Sequence, residues 1–427
     1  MAKPKILKTK SGLPVIFYQA ENYNTATVLV LVKTGTDFES KSINGISHLI
    51  EHVFFKGSKS YPTPLALSLE LDKIGAEYNA FTSYELTGYY IKTIPEYCPR
   101  GVELLADMLT EPIFDQAELE KERKVVLEEI NYNFDTPTRF IHDLNLRLIY
   151  GDQPAGWPIL GPKETIARIN QADILRYVQN HYSVKNTVVI VSGNFNQTKV
   201  LKTIEAKFQS YRKTAALERR PFVQKQKDFQ KLTQLKKDLK QAHLLFSFRT
   251  DGLDRLKDRR YSLSLLAAVL GAGFSSRLFS LLRQELGATY YLSADTNIFS
   301  NRGYFYIQTG ADLKRLKKII EAIKDELVRI KVEKIDPAEL EKAKTIIKNQ
   351  ISVATETSDT IGRFTGENYL FEKKIVLVKE LIKKINQVNA EAVQKEAELT
   401  LRRQKTNVVL ILPEPLDFNL NQTFANF

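Results

Sequence analysis

A chain of 427 residues with 43% hydrophobic and 26% charged side chains is too long for one ordinary core and too apolar to be disordered. Its net charge of +12 is uneven: Lys207 to Lys240 alone holds eleven basic against three acidic residues. No apolar run approaches the roughly 20 residues of a membrane span, and the single cysteine, Cys98, excludes an intrachain disulfide and fits a reducing compartment.

The predicted elements follow in chain order. The basic start, Met1 to Lys10, lacks the apolar stretch of a secretory signal and leads into a strand-turn-strand with Ser11-Gly12 at the turn. We therefore expect a cytoplasmic protein. Ala26 to Val32 is a near-continuous apolar run with β-branched residues, predicting a buried strand. Ile46, Leu49, Ile50, Val53 and Phe54 follow helical spacing, with Gly57 as a stop. Asp115 to Asn131 predicts a second helix, with Asp115 and Glu118 as a capping box and Leu119, Val125, Val126 and Ile130 as its buried stripe. Residues 212–234, rich in Lys, Arg and Gln and holding Pro221, predict a basic linker. A solvated face is its ordinary explanation, and an acidic partner the other. After it, Ala242 to Phe248 predicts another buried strand.

Three echoes in the same order join the halves. Gly75-Ala76-Glu77-Tyr78 returns as Gly287-Ala288-Thr289-Tyr290, and Tyr89 to Thr93 as Phe305 to Thr309. The helix start Asp115 to Lys121 returns as Asp336 to Lys342. These predict an α+β fold of two homologous tandem domains, each a largely antiparallel β-sheet packed with α-helices, at 1–211 and 235–427.

The chemistry concentrates in His48-Leu49-Ile50-Glu51-His52. Residues four apart lie on one helix face, so His48 and His52 present two imidazoles to one ion while Glu51 stands beside them. Zinc takes nitrogen and oxygen ligands in a tetrahedron and, for catalysis, keeps one position open. A third ligand must come from elsewhere, and the helix Asp115 to Asn131 is the best donor. Glu122 and Glu129, seven apart, lie nearly on one face, but spacing alone does not choose among Glu118, Glu120, Glu122, Glu128 and Glu129.

With these residues in hand, the sequence resembles the inverted-zincin metallopeptidases: pitrilysin, insulin-degrading enzyme and the mitochondrial processing peptidases, in their half-length bacterial form. The resemblance covers most of the chain. Glu122-Arg123-Lys124-Val125-Val126-Leu127-Glu128-Glu129 matches the family stretch Glu-Arg-x-Val-x-x-x-Glu, with Glu129 lying 77 residues after His52. It implies Glu129 as third ligand, Glu122 as the acid supporting the site and Glu51 as general base, with one zinc per chain. Asn79, Ala80 and Phe81, followed by Thr82, look like the family's edge strand, which pairs with the substrate backbone. Arg283 and Tyr290 keep the spacing of an Arg and a Tyr that in the family reach the active site and bind substrate. The duplication places Ala343 and Gln350 opposite Glu122 and Glu129, so the second domain is expected to lack the metal ligands. Trp157 stands where family members often carry Arg, and Ala155 and Ala288 replace larger residues, which bears on substrate preference.

The resemblance implies a zinc endopeptidase acting on peptides or unfolded segments, as a homodimer or paired with a related chain. Its rival is a non-catalytic subunit of a peptidase-like complex, which degraded metal motifs would mark. Nucleic-acid binding would rest on charge alone, without a recognition motif.

Overall fold

The computed structural model describes residues 4–214, 218–219, 221–224, 226–425 and 427. The first residues of the basic start, 1–3, and linker positions 215–217, 220 and 225 lie outside the described residues. Two compact units emerge, one of 1–132, 157–221 and 353–377, the other of 133–156, 222–352 and 378–427.

The first unit holds strands β1 (Lys5–Lys8), β2 (Pro14–Gln19), β3 (Ala26–Val32), β4 (Glu77–Thr82), β5 (Thr87–Thr93) and β6 (Thr187–Gly193), in the order β1-β2-β6-β3-β5-β4. All neighbours are antiparallel except β2 and β6. The turn between β1 and β2 falls at Ser11-Gly12, with Gly12 at φ +89°. The second unit holds β7 (Gln230–Leu235), β8 (Ala242–Thr250), β9 (Thr289–Ile298), β10 (Gly303–Ala311) and β11 (Thr406–Leu412), in the order β7-β11-β8-β10-β9. Only its β7–β11 pair is parallel. Apart from β1, the two sheets have the same order and the same strand senses, which is the α+β unit used twice. The echoes sit at equivalent places: Gly75 and Gly287, both at φ +56°, lead into β4 and β9.

The apolar strands are continuous because both faces of each sheet are covered. In β3, Val28, Val30 and Val32 enter the main core. Helices α1 (Ile46–Phe54), α2 (Pro64–Lys73), α3 (Cys98–Thr110) and α4 (Gln116–Asp135) line that core, with Gln171–His181 and Gln197–Lys207. Leu29 and Leu31 point the other way, into a cluster with Ile16, Val188, Ile190 and Leu370. Leu370 belongs to the helix Ser358–Glu372, which follows the linker by well over a hundred residues yet packs on the first sheet. In the second unit, Leu244, Phe246 and Phe248 face the main core, while Leu245, Val409 and Ile411 meet Ile141 and Leu144 of α5 (Pro137–Tyr150).

The units thus divide differently from the expected cut at 211 and 235. Each sheet's second apolar face is covered by a helix from the opposite half of the sequence. The linker expected over 212–234 is also shorter at its end, because β7 begins at Gln230. Only one face of β7 is even half-buried, so Lys, Thr and Gln are tolerated there and hide it as a strand. No helix among the described residues is long and apolar enough to cross a membrane.

The helix Ser358–Glu372 approaches its sheet through Gly362 and Gly366. A Cβ at Gly366 would lie 2.6 Å from Ile190 Cδ1 and 2.7 Å from Leu31 Cδ1. Gly366→Val gains under about 1 kcal/mol in helix propensity but overpacks this contact at a cost of about 1–3 kcal/mol. We expect a net loss of unfolding free energy in urea titration. A variant as stable as wild type would show that the helix yields without cost.

Candidate metal centre

The site is built on α1 and α4. Ile46, Leu49, Ile50, Val53 and Phe54 bury one side of α1, leaving His48, Glu51 and His52 on the other. On α4, Leu119, Glu122 and Val126 are buried, and Glu129 continues their row. Val125, expected in the buried stripe, is exposed at 43%. Asp115 caps α4 by accepting from the Ala117 and Glu118 amides, whereas the Glu118 carboxylate turns to Lys121.

His48, His52 and Glu129 bring one ligand atom each to within 4.8 Å of one another. Glu129 Oε2 lies 3.5 Å from His48 Nε2 and 3.6 Å from His52 Nε2. A tetrahedral zinc with bonds of about 2.0–2.1 Å separates its ligand atoms by roughly 3.3–3.4 Å. The donor set and spacing therefore fit that ion with little adjustment. Among the described residues no other group of three His, Cys, Asp or Glu side chains is so arranged.

The electrostatics hold two of the three donors, His48 and Glu129, in their ligating forms, while His52 must give up a proton to bind an ion. Burial, and then the neighbouring His52, push the His48 pKa down to about 4, leaving a neutral imidazole at pH 7. Burial pulls His52 down too, but hydrogen bonds to Glu129 and Glu122 outweigh it and raise its pKa. The His52 hydrogen bond holds the Glu129 carboxyl below its ordinary range. Glu122 Oε2 lies 3.1 Å from His52 Nδ1, so it addresses the ring nitrogen turned away from the trio. Of the trio, Glu122 contacts His52.

Glu51 stands outside the trio. Its Oε2 accepts a 2.5 Å hydrogen bond from Thr82 Oγ1, and burial raises its pKa above the usual carboxylate range. Thr82 ends β4, the edge of the first sheet. Asn79, Ala80 and Phe81 lie on this edge, paired on one side with Tyr90, Tyr89 and Gly88 of β5. In the second unit, Arg283 is part of a π-helical turn, Ser280–Glu285, and its guanidinium donates to the Thr289 carbonyl at 2.8 Å. That carbonyl immediately precedes Tyr290, which is 74% exposed.

Sequence reasoning missed Glu39. The N-cap of α1 is Gly45, in a left-handed conformation with no side-chain cap. Fully buried Glu39 supplies one: its carboxylate accepts from the Gly45 amide at 2.8 Å, the Ser47 amide at 3.0 Å and the Asn44 side chain at 2.8 Å. A carboxylate suits the positive end of a helix, though burial still raises its pKa. Glu39→Ala leaves these buried donors without their acceptor, so we expect about 2–3 kcal/mol lower unfolding free energy. Denaturant titration checks this, and an unchanged midpoint would overturn it. The acid lies nine residues before His48, a separation that carries no periodic signal.

Residues 15–163 match the insulinase model of peptidase family M16, and residues 168–347 match the M16 inactive domain. The chain is similar to the "uncharacterized zinc protease YmxG" of Bacillus subtilis, 34% identical over 90% of this chain and 92% of that one. A protein of Rickettsia felis, also named as a zinc protease, is 29% identical over 95% of this chain and 97% of its own. Among solved structures, a protease from Helicobacter pylori gives a TM-score of 0.88 at 22% identity, covering 97% of this chain and 100% of that one. A chain of complex III2 from Candida albicans gives 0.87 at 18%, covering 99% of each. At such identities the structural likenesses carry the fold alone.

Proposed function

The chain belongs to peptidase family M16, and we propose that it is a zinc-dependent endopeptidase hydrolysing peptides or unfolded polypeptide segments. What supports this is the convergence of His48, His52 and Glu129 beside a half-buried Glu51 that is tied to an edge strand. Zinc, when bound, supplies the Lewis acidity that polarises a scissile carbonyl and makes a nearby water more acidic.

The remaining work falls to side chains. His48, His52 and Glu129 hold one ion per chain. Glu122 fixes the His52 ring through Nδ1, leaving Nε2 to ligate. Glu51 accepts the proton of the attacking water and delivers it to the leaving amine. Thr82 keeps one Glu51 oxygen in place. The free side of β4, at Asn79, Ala80 and Phe81, pairs with an extended substrate backbone, which favours unfolded segments. Arg283 and Tyr290 are assigned as substrate-binding groups of the second unit, an anchoring guanidinium and a hydroxyl donor.

A non-catalytic role would fit a degraded metal set, whereas this chain keeps all three ligands and Glu51. Mass-spectrometric digestion of a peptide library, with and without chelator, tests the proposal. Cleavage that stops with chelator and returns with zinc is expected. Absence of cleavage by the zinc-loaded chain, or cleavage indifferent to chelator, would overturn it.

A further inference from the structure

Glu122 is nearly buried, at 8% exposure, and its two oxygens have different partners. Oε2 faces His52 Nδ1 at 3.1 Å, and Oε1 faces the Lys56 ammonium at 2.8 Å. Lys56 stands four residues after His52, as His52 stands four after His48. Helix α1 ends at Phe54, but the chain keeps turning: the Lys56 amide donates to the Val53 carbonyl at 3.1 Å. The row His48, His52, Lys56 therefore continues past the helix end. Two members meet Glu129 and two meet Glu122.

We propose that Lys56 is a positioning residue of the metal centre, acting through Glu122 on His52. A carboxylate gripped at one oxygen by a histidine nitrogen still rotates about its terminal bond. A cation on the second oxygen removes that freedom and fixes the plane from which Oε2 receives the imidazole N–H. It also supplies the positive charge that a nearly buried carboxylate requires, with a second acid, Glu129, on the other side of the His52 ring. The Lys56 side chain is only 27% exposed, so solvent screens the pair less than an exposed one. A purely structural ion pair would stabilise the turn after α1 without altering ligand geometry. The two roles differ in what they do to metal affinity once Glu122 is neutral.

This inference rests on the proposed zinc site, and its test separates the two. Zinc dissociation constants are measured on the full chain by competition with a chromophoric chelator. The proteins are wild type, Lys56→Met, Lys56→Arg, Glu122→Gln and the Lys56→Met/Glu122→Gln double variant. Loss of an outer partner of a metal ligand costs about 10–100-fold in affinity. Lys56→Met is expected near the lower end, about tenfold, and Lys56→Arg within about twofold of wild type. In the Glu122→Gln background, Lys56→Met should change affinity by less than about twofold, because its route to His52 is gone. Wild-type affinity in Lys56→Met, or an equal loss in both backgrounds, would overturn the role of Lys56 while leaving the zinc site intact. A wild-type chain that binds no zinc overturns both. If Lys56→Met does not fold, Lys56→Gln takes its place in the same comparison.

Discussion

Glu51→Gln is expected to keep its zinc and lose cleavage by about 10²–10⁴-fold, the usual contribution of a positioned general base. The substitution preserves shape. A glutamine amide oxygen still accepts from Thr82, so β4 and α1 keep their contact. No atom of Glu51 belongs to the ligand trio, so metal affinity has no reason to fall. What disappears is a basic oxygen beside the metal position. Zinc content by atomic absorption and cleavage of a peptide identified in the library digestion are measured on the same preparation. Cleavage at the wild-type rate with full zinc content would remove Glu51 from the mechanism. Lost cleavage together with lost zinc would mean that the carboxylate holds the metal as well.

The parts of this site differ in how far they could be read from the chain. His48, Glu51 and His52 lie within one short helix, where 3.6-residue periodicity converts spacing into geometry. Glu129 lies on a separate helix among several acids, and periodicity narrows these to a face without saying which core that face meets. Packing decides it: Leu119 and Val126 bury α4 with Glu122 and Glu129 in their row. Val125, equally apolar, is left exposed. Strand positions were legible because β3 and β8 are apolar on both faces, but the helices covering their second faces were not. The Ser358–Glu372 helix and α5 carry mixed, polar-rich sequences whose partners lie far along the chain. Nothing local tells Gly362 and Gly366 which sheet they approach. Glu39 escapes for a similar reason, since a cap delivered from a preceding loop has no fixed spacing from the helix it serves. Composition alone hid β7, because an edge strand with one wet face tolerates Lys, Thr and Gln.

Glu129→Gln is expected to weaken zinc binding by more than about 100-fold, beyond the 10–100-fold typical of outer partners. Its Oε2 is within 3.6 Å of both imidazole Nε2 atoms, the only carboxylate of the trio. In the proposed ligand set, removing it takes away a ligand atom and the one negative charge that set would supply directly to the cation. The amide that replaces it is a neutral and weaker donor. Glu122→Gln provides the internal comparison, because Glu122 reaches only the outer nitrogen of His52. Its loss should therefore be the smaller of the two. Glu128 is the sequence neighbour that spacing could not exclude, yet its carboxylate turns toward Asn131 at 3.5 Å, and Glu128→Gln should leave zinc affinity within about twofold. The order of loss, Glu129 above Glu122 above Glu128, is the discriminating result. It follows from which face of α4 meets α1, so a reversed order between Glu129 and Glu122 would require α4 to be turned by part of a helical step. Chelator competition on the three variants reads that order directly, independent of any substrate.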